Sequence, residues 1–349
     1  MFIVTPSALS MQSCTKEPIP EIIHDTLLVR DTTILRDTTI LRDTTIIKDT
    51  ILIHDTTDVK RIKILCVGNS FTQDAFMYAP FILENVAEDV VLTIGIAYYS
   101  GCSLESHYQF FKDNSSVYQY YKYEIGDGQW TDLGKMNIST IARDETWQIV
   151  TFQQASKYAH QNFDKYFAPY IPYLTSRIQS LTSREVKFGW LLTHAKPSEA
   201  DEDVIKATDQ RHGSISDNSR RVLSDYGFDF IFSYGTAIQN ARHTDISMVK
   251  TEGLSLTYDN AHLQEGLPCL VSGYSSAASI LSILGKDPAL ISNDRTDVTL
   301  DWINQHNIQG TNPARSKLTE DLVVKTIDDL RTAAQECAIL SVKNPYIIK

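Results

Sequence analysis

Strands and helices alternate along residues 61–285, and this alternation predicts an α/β domain: a parallel sheet with helices on both faces, a three-layer α/β/α sandwich. Two further observations point to the same class. The strand-like runs are short, apolar and β-branched, as strands buried on both faces are. The first of them also passes through a glycine directly into a helical pattern, the connection found at the carboxyl ends of strands in open α/β sheets.

Taken in order, residues 61–67 read as a buried strand bounded by Gly68, with Cys66 expected to act as a small apolar residue. Beyond it Phe76, Met77, Ala79, Phe81, Ile82, Leu83 and Val86 recur at helical spacing, with Pro80 expected to weaken or kink that helix. Residues 90–96 form the second strand and lead into Ser100-Gly101-Cys102-Ser103-Leu104. Residues 117–133 read as an inserted hairpin with Asp127-Gly128 at its turn, expected to wall a crevice or set substrate shape. A strand at 147–150 precedes Thr151-Phe152-Gln153-Gln154-Ala155-Ser156, and helical spacing returns over 163–181. Residues 186–193 form the clearest later strand, ended by His194, and 228–232 a further one. Residues 266–284 read as a helix rich in small residues, packed beneath the segment that carries His262.

Ser70 lies on the tight turn Gly68-Asn69-Ser70-Phe71-Thr72, and Asp259 and His262 lie in Tyr258-Asp259-Asn260-Ala261-His262-Leu263. A serine hydroxyl is a weak nucleophile until a base takes its proton, and the base in turn needs an orienting group. Asp-x-x-His lets one short loop supply both, and a triad is recognised by geometry and roles rather than by chain order. The plainer alternative is that Asn69-Ser70 only caps the helix that follows. His194, at a strand terminus, is a candidate substrate contact, with a structural histidine as the competing reading.

At these residues the chain resembles the SGNH/GDSL hydrolase superfamily, with Gly-Asn-Ser in place of the usual Gly-Asp-Ser. The resemblance spans roughly residues 61–285 and implies a flavodoxin-like fold, with Ser70 as nucleophile, His262 as base and Asp259 as its orienting partner. It further implies that the backbone N–H of Gly101 helps hold an oxyanion. The third block departs from the pattern: no Gly-x-Asn is present, and Gln153 or Gln154 stands where the asparagine would be. That glutamine is similar to the third block of carbohydrate O-acetylesterases in the superfamily. The resemblance therefore implies a serine esterase that acts on an acetylated glycan or a small ester and needs no cofactor. Two alternatives stay open: an esterase, lipase or thioesterase for other acyl groups, or a carbohydrate-binding surface protein that kept the fold and lost turnover.

Composition narrows the classes. With 42% hydrophobic and 21% charged residues the chain can build an ordinary core, and a net charge of −11 without a basic patch argues against nucleic acid as a partner. Cys14, Cys66, Cys102, Cys269 and Cys337 form no CxxC or other metal-ligand spacing, so no metal site is expected. The tyrosines at 118, 120, 121 and 123 read as core or sheet-face packing, with stacking on sugar rings as the alternative. The chain is expected to divide into a leader (1–14), an extended stalk (15–60) and the hydrolase domain (61–349). The leader resembles the tail of a bacterial lipoprotein signal, in which Cys14 would carry the lipid, although it lacks a basic n-region and has Met11 in place of the usual leucine. A frayed terminus is the alternative reading. This implies a cell-envelope protein whose contact with membrane is through the anchor alone, since no apolar run is long enough to span a bilayer. In the stalk, basic-Asp-Thr hexads begin at His24, Arg30, Arg36, Arg42, Lys48 and His54. An even period keeps each side chain on one face of an extended chain and does not match the repeat of a coiled coil.

Overall fold

The computed structural model describes residues 59–308 and 327–349, together with the short strands Ile40–Leu41 and Thr44–Thr45. The chain separates into two units, Met1–Thr57 and Asp58–Lys349. In the first, Ile40 pairs with Thr45 and Leu41 with Thr44 in an antiparallel ladder. The leader with Cys14 and the rest of the hexad repeat up to Asp58 lie outside the described residues.

The second unit is built on one seven-stranded sheet. Its strands are β1 (Lys60–Gly68), β2 (Val90–Tyr98), β3 (Tyr118–Glu124), β4 (Thr131–Met136), β5 (Ile149–Phe152), β6 (Lys187–Leu191) and β7 (Phe230–Phe232). They lie in the order β4-β3-β2-β1-β5-β6-β7. The five strands β2-β1-β5-β6-β7 are parallel, with β1 central and Lys60 through Gly68 registered on Val90 through Tyr98. Within this parallel core the order reverses at β1, which leaves a crevice at the carboxyl ends of β1 and β5.

The hairpin predicted over 117–133 forms, with its second arm running to Met136, but it does not stand apart as a wall. Its first arm pairs antiparallel with β2 and extends the sheet. The period of two explains why: Tyr118 and Tyr120 bury on one face, Tyr121 and Tyr123 on the other, so the strand is apolar on both sides. These tyrosines are packing residues.

Besides the four-residue turns Ser156–Ala159 and Phe163–Tyr166, ten helices of seven residues or more are described. In chain order they are α1 (Ser70–Phe76), α2 (Ala79–Val86), α3 (Leu104–Asp113), α4 (Ile138–Asp144), α5 (Ile171–Leu181), α6 (Val204–Tyr226), α7 (Tyr234–Arg242), α8 (Leu267–Ile283), α9 (Leu300–His306) and α10 (Ile327–Lys343). On one face Ile64, Cys66, Leu92 and Ile94 pack with Phe76, Ile82, Leu270, Ala277 and Ala338; on the other Leu65, Val67, Val150 and Phe152 pack with Phe111, Ile141, Leu174 and Val222. Each such side chain, fully buried, contributes roughly 1.5–3 kcal/mol of transfer free energy. Pro80 divides the helical stretch into α1 and α2 and occupies the first turn of α2, where its missing N–H costs nothing. Burial pushes the Cys66 thiol up to about 12, against a smaller opposing effect of the Thr151 hydroxyl, so it behaves as an apolar group. Among the described residues no helix is long and apolar enough to cross a membrane.

Candidate active site

The turn that carries Ser70 is fixed from both sides. A Cβ on Gly68 would fall 2.0 Å from Thr72 Oγ1, so glycine lets the Thr72 side chain pack this close to the end of β1. Asn69 caps α1: its Oδ1 accepts from the Phe71 N–H at 2.9 Å, while its Nδ2 donates to the Cys102 carbonyl at 2.9 Å and ties the turn to the loop after β2. Because the asparagine does the capping, the neighbouring serine hydroxyl is left for another partner.

That partner is His262, whose Nε2 lies 2.6 Å from Ser70 Oγ. His262 Nδ1 lies 2.7 Å from Asp259 Oδ2. A carboxylate only accepts, so Nδ1 carries the ring proton and the Nε2 lone pair faces the serine O–H. Asp259 Oδ1 accepts from the Ala261 and His262 N–H groups at 3.0 and 2.8 Å. Burial pushes the Asp259 carboxyl up, but the His262 N–H, the His262 ring and the Ala261 N–H outweigh it and hold it below the ordinary value. The His262 and Asp259 side chains remain 24% and 39% exposed, so the site is open to solvent on this side.

The loop that presents this pair is held under strain. Ser255, Leu256 and Asn260, three of the four described non-glycine residues with left-handed backbone, fall within it. Such residues cost about 1–3 kcal/mol each and persist only where their surroundings over-determine them. A Cβ on Gly253 would lie 2.9 Å from the Asn260 nitrogen, so glycine permits the loop to fold back on itself. Two contacts clamp the loop to the body: the Leu263 N–H donates to Asp74 Oδ2 on α1 at 3.1 Å, and His194 Nε2 lies 2.8 Å from the Ala261 carbonyl oxygen.

His194 is thus placed behind the site rather than in it, which corrects the expectation of a substrate contact. It is fully buried, stacked on Phe71 with ring centroids 4.2 Å apart. Its Nε2–H must be the donor to the Ala261 carbonyl, leaving Nδ1 to accept from the Tyr234 hydroxyl at 3.2 Å. Burial above all, then the charge of Arg242, pushes its pKa down to about 3, so the ring is neutral.

Gln153 and Gln154 leave β5 on opposite faces. Gln154 is committed to backbone: its Oε1 accepts from the Leu104 and Ala155 N–H groups at 3.2 and 2.8 Å, and its Nε2 donates to the Tyr166 carbonyl at 2.6 Å. Its placement as an oxyanion donor is corrected accordingly. Gln153, also buried, sits beside the Ser70 turn and donates from Nε2 to Asn69 Oδ1, which leaves a second N–H on the same nitrogen. Gly101 has a left-handed backbone (φ 61°) in the turn closed by the Cys102 N–H to the Tyr99 carbonyl at 3.2 Å. Among the described residues the Ser70 and Gly101 backbone N–H groups have no hydrogen-bond partner. Asp74, Tyr234 and Asn69 were not singled out as functional in the sequence. The one signal for Asp74 was its position four residues after Ser70, one helical turn on.

A cavity of about 520 Å³ adjoins Asp259. Asp259, Asn260, Ser156, Lys157, Lys196 and Ser198 are among the residues that line it. Among the described residues no group of three or more His, Cys, Asp or Glu side chains is arranged to hold a metal ion.

Comparison with known proteins places the chain. The crystal structure of a DUF4886 family protein from Bacteroides uniformis is similar, with 27% sequence identity, a TM-score of 0.61, and coverage of 83% of this chain and 98% of that one. Axe2, an acetylxylan esterase from Geobacillus stearothermophilus, is a more distant likeness, with 11% identity, a TM-score of 0.40, and coverage of 66% and 98%. No curated protein matches the chain. The sequence profile described as "Domain of unknown function (DUF4886)" matches residues 63–272, more than half of the chain and a span that includes Ser70, Asp259 and His262. The protein belongs to the DUF4886 family.

Proposed function

We propose that the protein is a serine esterase that removes O-acetyl groups from carbohydrate. The observation that carries this reading is the unbroken run of short contacts from Ser70 Oγ to His262 and on to Asp259, 2.6 and 2.7 Å. In this reading His262 takes the serine proton as the oxygen attacks the ester carbonyl, and Asp259 stabilises the imidazolium that forms. The Ser70 and Gly101 N–H groups, with the second Gln153 amide N–H, hold the oxyanion; one such donor is worth about 2.7–4 kcal/mol. His262 then returns its proton to the leaving alcohol, and water repeats the cycle on the acyl-enzyme. No step needs a cofactor.

The base-side cavity supports a sugar as the leaving alcohol. Hydroxyl, ammonium, amide and carboxylate groups line it, a surface that offers hydrogen bonds to a polyhydroxylated ligand. A binding protein without turnover has less support, since a serine held against a histidine–aspartate pair serves no binding need evident in the fold. In the same reading the protein works in the cell envelope, held there by a lipid on Cys14.

In this reading Tyr98 and Tyr99, which precede Gly101 and pack against Tyr121 and Phe110, bound the acyl group and favour short chains. Turnover of 4-nitrophenyl acetate, butyrate and octanoate tests this. The octanoyl ester should react at least about tenfold more slowly than the acetyl ester, about 1.4 kcal/mol in the barrier. Equal or faster octanoate hydrolysis would move the assignment to a lipid esterase.

A further inference from the structure

The cavity beside Asp259 is lined by more cations than carboxylates. The chain carries a net charge of −11, yet the residues facing this cavity include three cations, Lys157, Lys196 and Arg211. Arg211 is already neutralised: its two terminal nitrogens meet the two Asp201 oxygens at 2.7 and 2.6 Å. The two carboxylates in the wall are also engaged, Asp259 with His262 and Glu199 with the Asn260 amide at 3.0 Å. Lys157 lies with its ammonium 4.7 Å from the centre of the Tyr158 ring. Among the described residues neither Lys157 nor Lys196 has a carboxylate within ion-pair distance.

Two lysines without a carboxylate partner among the described residues therefore line one open cavity, which the Asp259–Asn260 turn also lines. Resting on the esterase reading above, that turn carries Asp259 and leads into His262, so a ligand in the cavity would lie beside the reacting groups. We propose that this cavity is a subsite for the sugar part of the substrate, and that it selects a glycan bearing acidic groups, carboxylate or sulfate, near the acetylated position. Lys157 and Lys196 supply the attraction, and Ser156 and Ser198 supply donors for sugar hydroxyls. Solvent-facing lysines of this kind act through long-range attraction that salt screens within about 8 Å at physiological ionic strength. Recognition should accordingly weaken as salt rises.

Binding, rather than turnover, separates this proposal from the esterase reading. Isothermal titration of the Ser70→Ala protein would use three unacetylated probes: a uronic-acid oligosaccharide, a sulfated galactan oligosaccharide and a neutral xylo-oligosaccharide. At least one acidic probe should bind about tenfold more tightly than the neutral one at low salt. The comparison between the two acidic probes identifies the anion. The Lys157→Gln/Lys196→Gln double substitution should abolish the preference. A control pair on the distant α3 and β4 elements, Lys112→Gln/Lys135→Gln, removes the same charge and should leave the preference in place. Equal binding of all three probes, no binding of any, or a preference that survives the double substitution would overturn the subsite. If the preference is present but the wild-type protein hydrolyses no ester, the subsite stands and the esterase reading falls.

Discussion

His262 and His194 share a neighbour, Phe71, and both ring nitrogens of each are engaged, yet they are placed for opposite ends. His262 uses Nδ1 on a carboxylate and keeps Nε2 for a serine hydroxyl, at a position partly open to solvent. His194 uses Nε2 on the Ala261 carbonyl and Nδ1 on the Tyr234 hydroxyl, with no surface exposed. A histidine becomes a candidate base when one nitrogen faces a proton that has somewhere to go. When both nitrogens are consumed by fixed groups, it is a strut. Here the strut braces the residue immediately before His262, so the two placements meet across the Ala261–His262 peptide. The glutamines repeat the lesson: Gln154 is consumed by backbone groups, and Gln153 is left beside the Ser70 turn.

The comparison can be broken first at the strut. His194→Ala should lower kcat on an acetyl ester by about 10–100-fold while KM stays within about threefold, because a misplaced base costs the chemical step rather than binding. His194→Gln, whose amide nitrogen reaches the place of Nε2, should recover most of that loss. A rise in KM alone would restore the reading of a substrate contact. No change in either constant would mean that the bond to Ala261 does no positioning.

Much of the site could be read from the chain, and its limits are physical. Gly68-Asn69-Ser70 and Asp-x-x-His are local, and local chemistry fixes what each can do: a glycine turn, a cap, and a base with its carboxylate three residues away. The parallel core was legible because its strands are apolar on both faces. Gln153 and Gln154 could not be separated, since a period of two says that adjacent residues face apart without saying which face holds the site. The burial of His194 comes from α7 and the strained loop closing over it, contacts made 40 and 67 residues further along the chain. Helix α6, 23 residues long, was missed because its buried stripe is largely polar, with Thr208, His212, Ser216 and Ser219 beside Ile215 and Val222. Its hydrophobic period is therefore faint.

The smaller expected effect sharpens the comparison through pH. Burial pushes His194 and His107 down to about 3 and His212 to about 4, with the Arg242 charge adding to the effect at His194 and His212. An unfolded histidine titrates near 6.5. Between these values the unfolded chain binds protons that the folded chain does not, so stability is full above about pH 6.5 and falls as pH drops toward the folded values. Each such histidine contributes about 1.4 kcal/mol per pH unit to that slope. Denaturant titrations between pH 6 and 4.5 should give a slope for His194→Gln that is flatter than wild type by about this amount. An unchanged slope would mean that His194 is not held neutral in the fold.

The central claim is that His262, and not His194, activates Ser70, and covalent labelling tests it most directly. A fluorophosphonate bonds only to a serine whose proton is being removed, and peptide mass mapping locates the adduct. Wild-type protein should be labelled at Ser70, His194→Gln should be labelled at the same residue, and His262→Ala should label at least about a thousandfold more slowly, in keeping with the loss of a triad base. Labelling of Ser70 in His262→Ala at the wild-type rate, or no labelling of Ser70 in the wild type, would contradict the account.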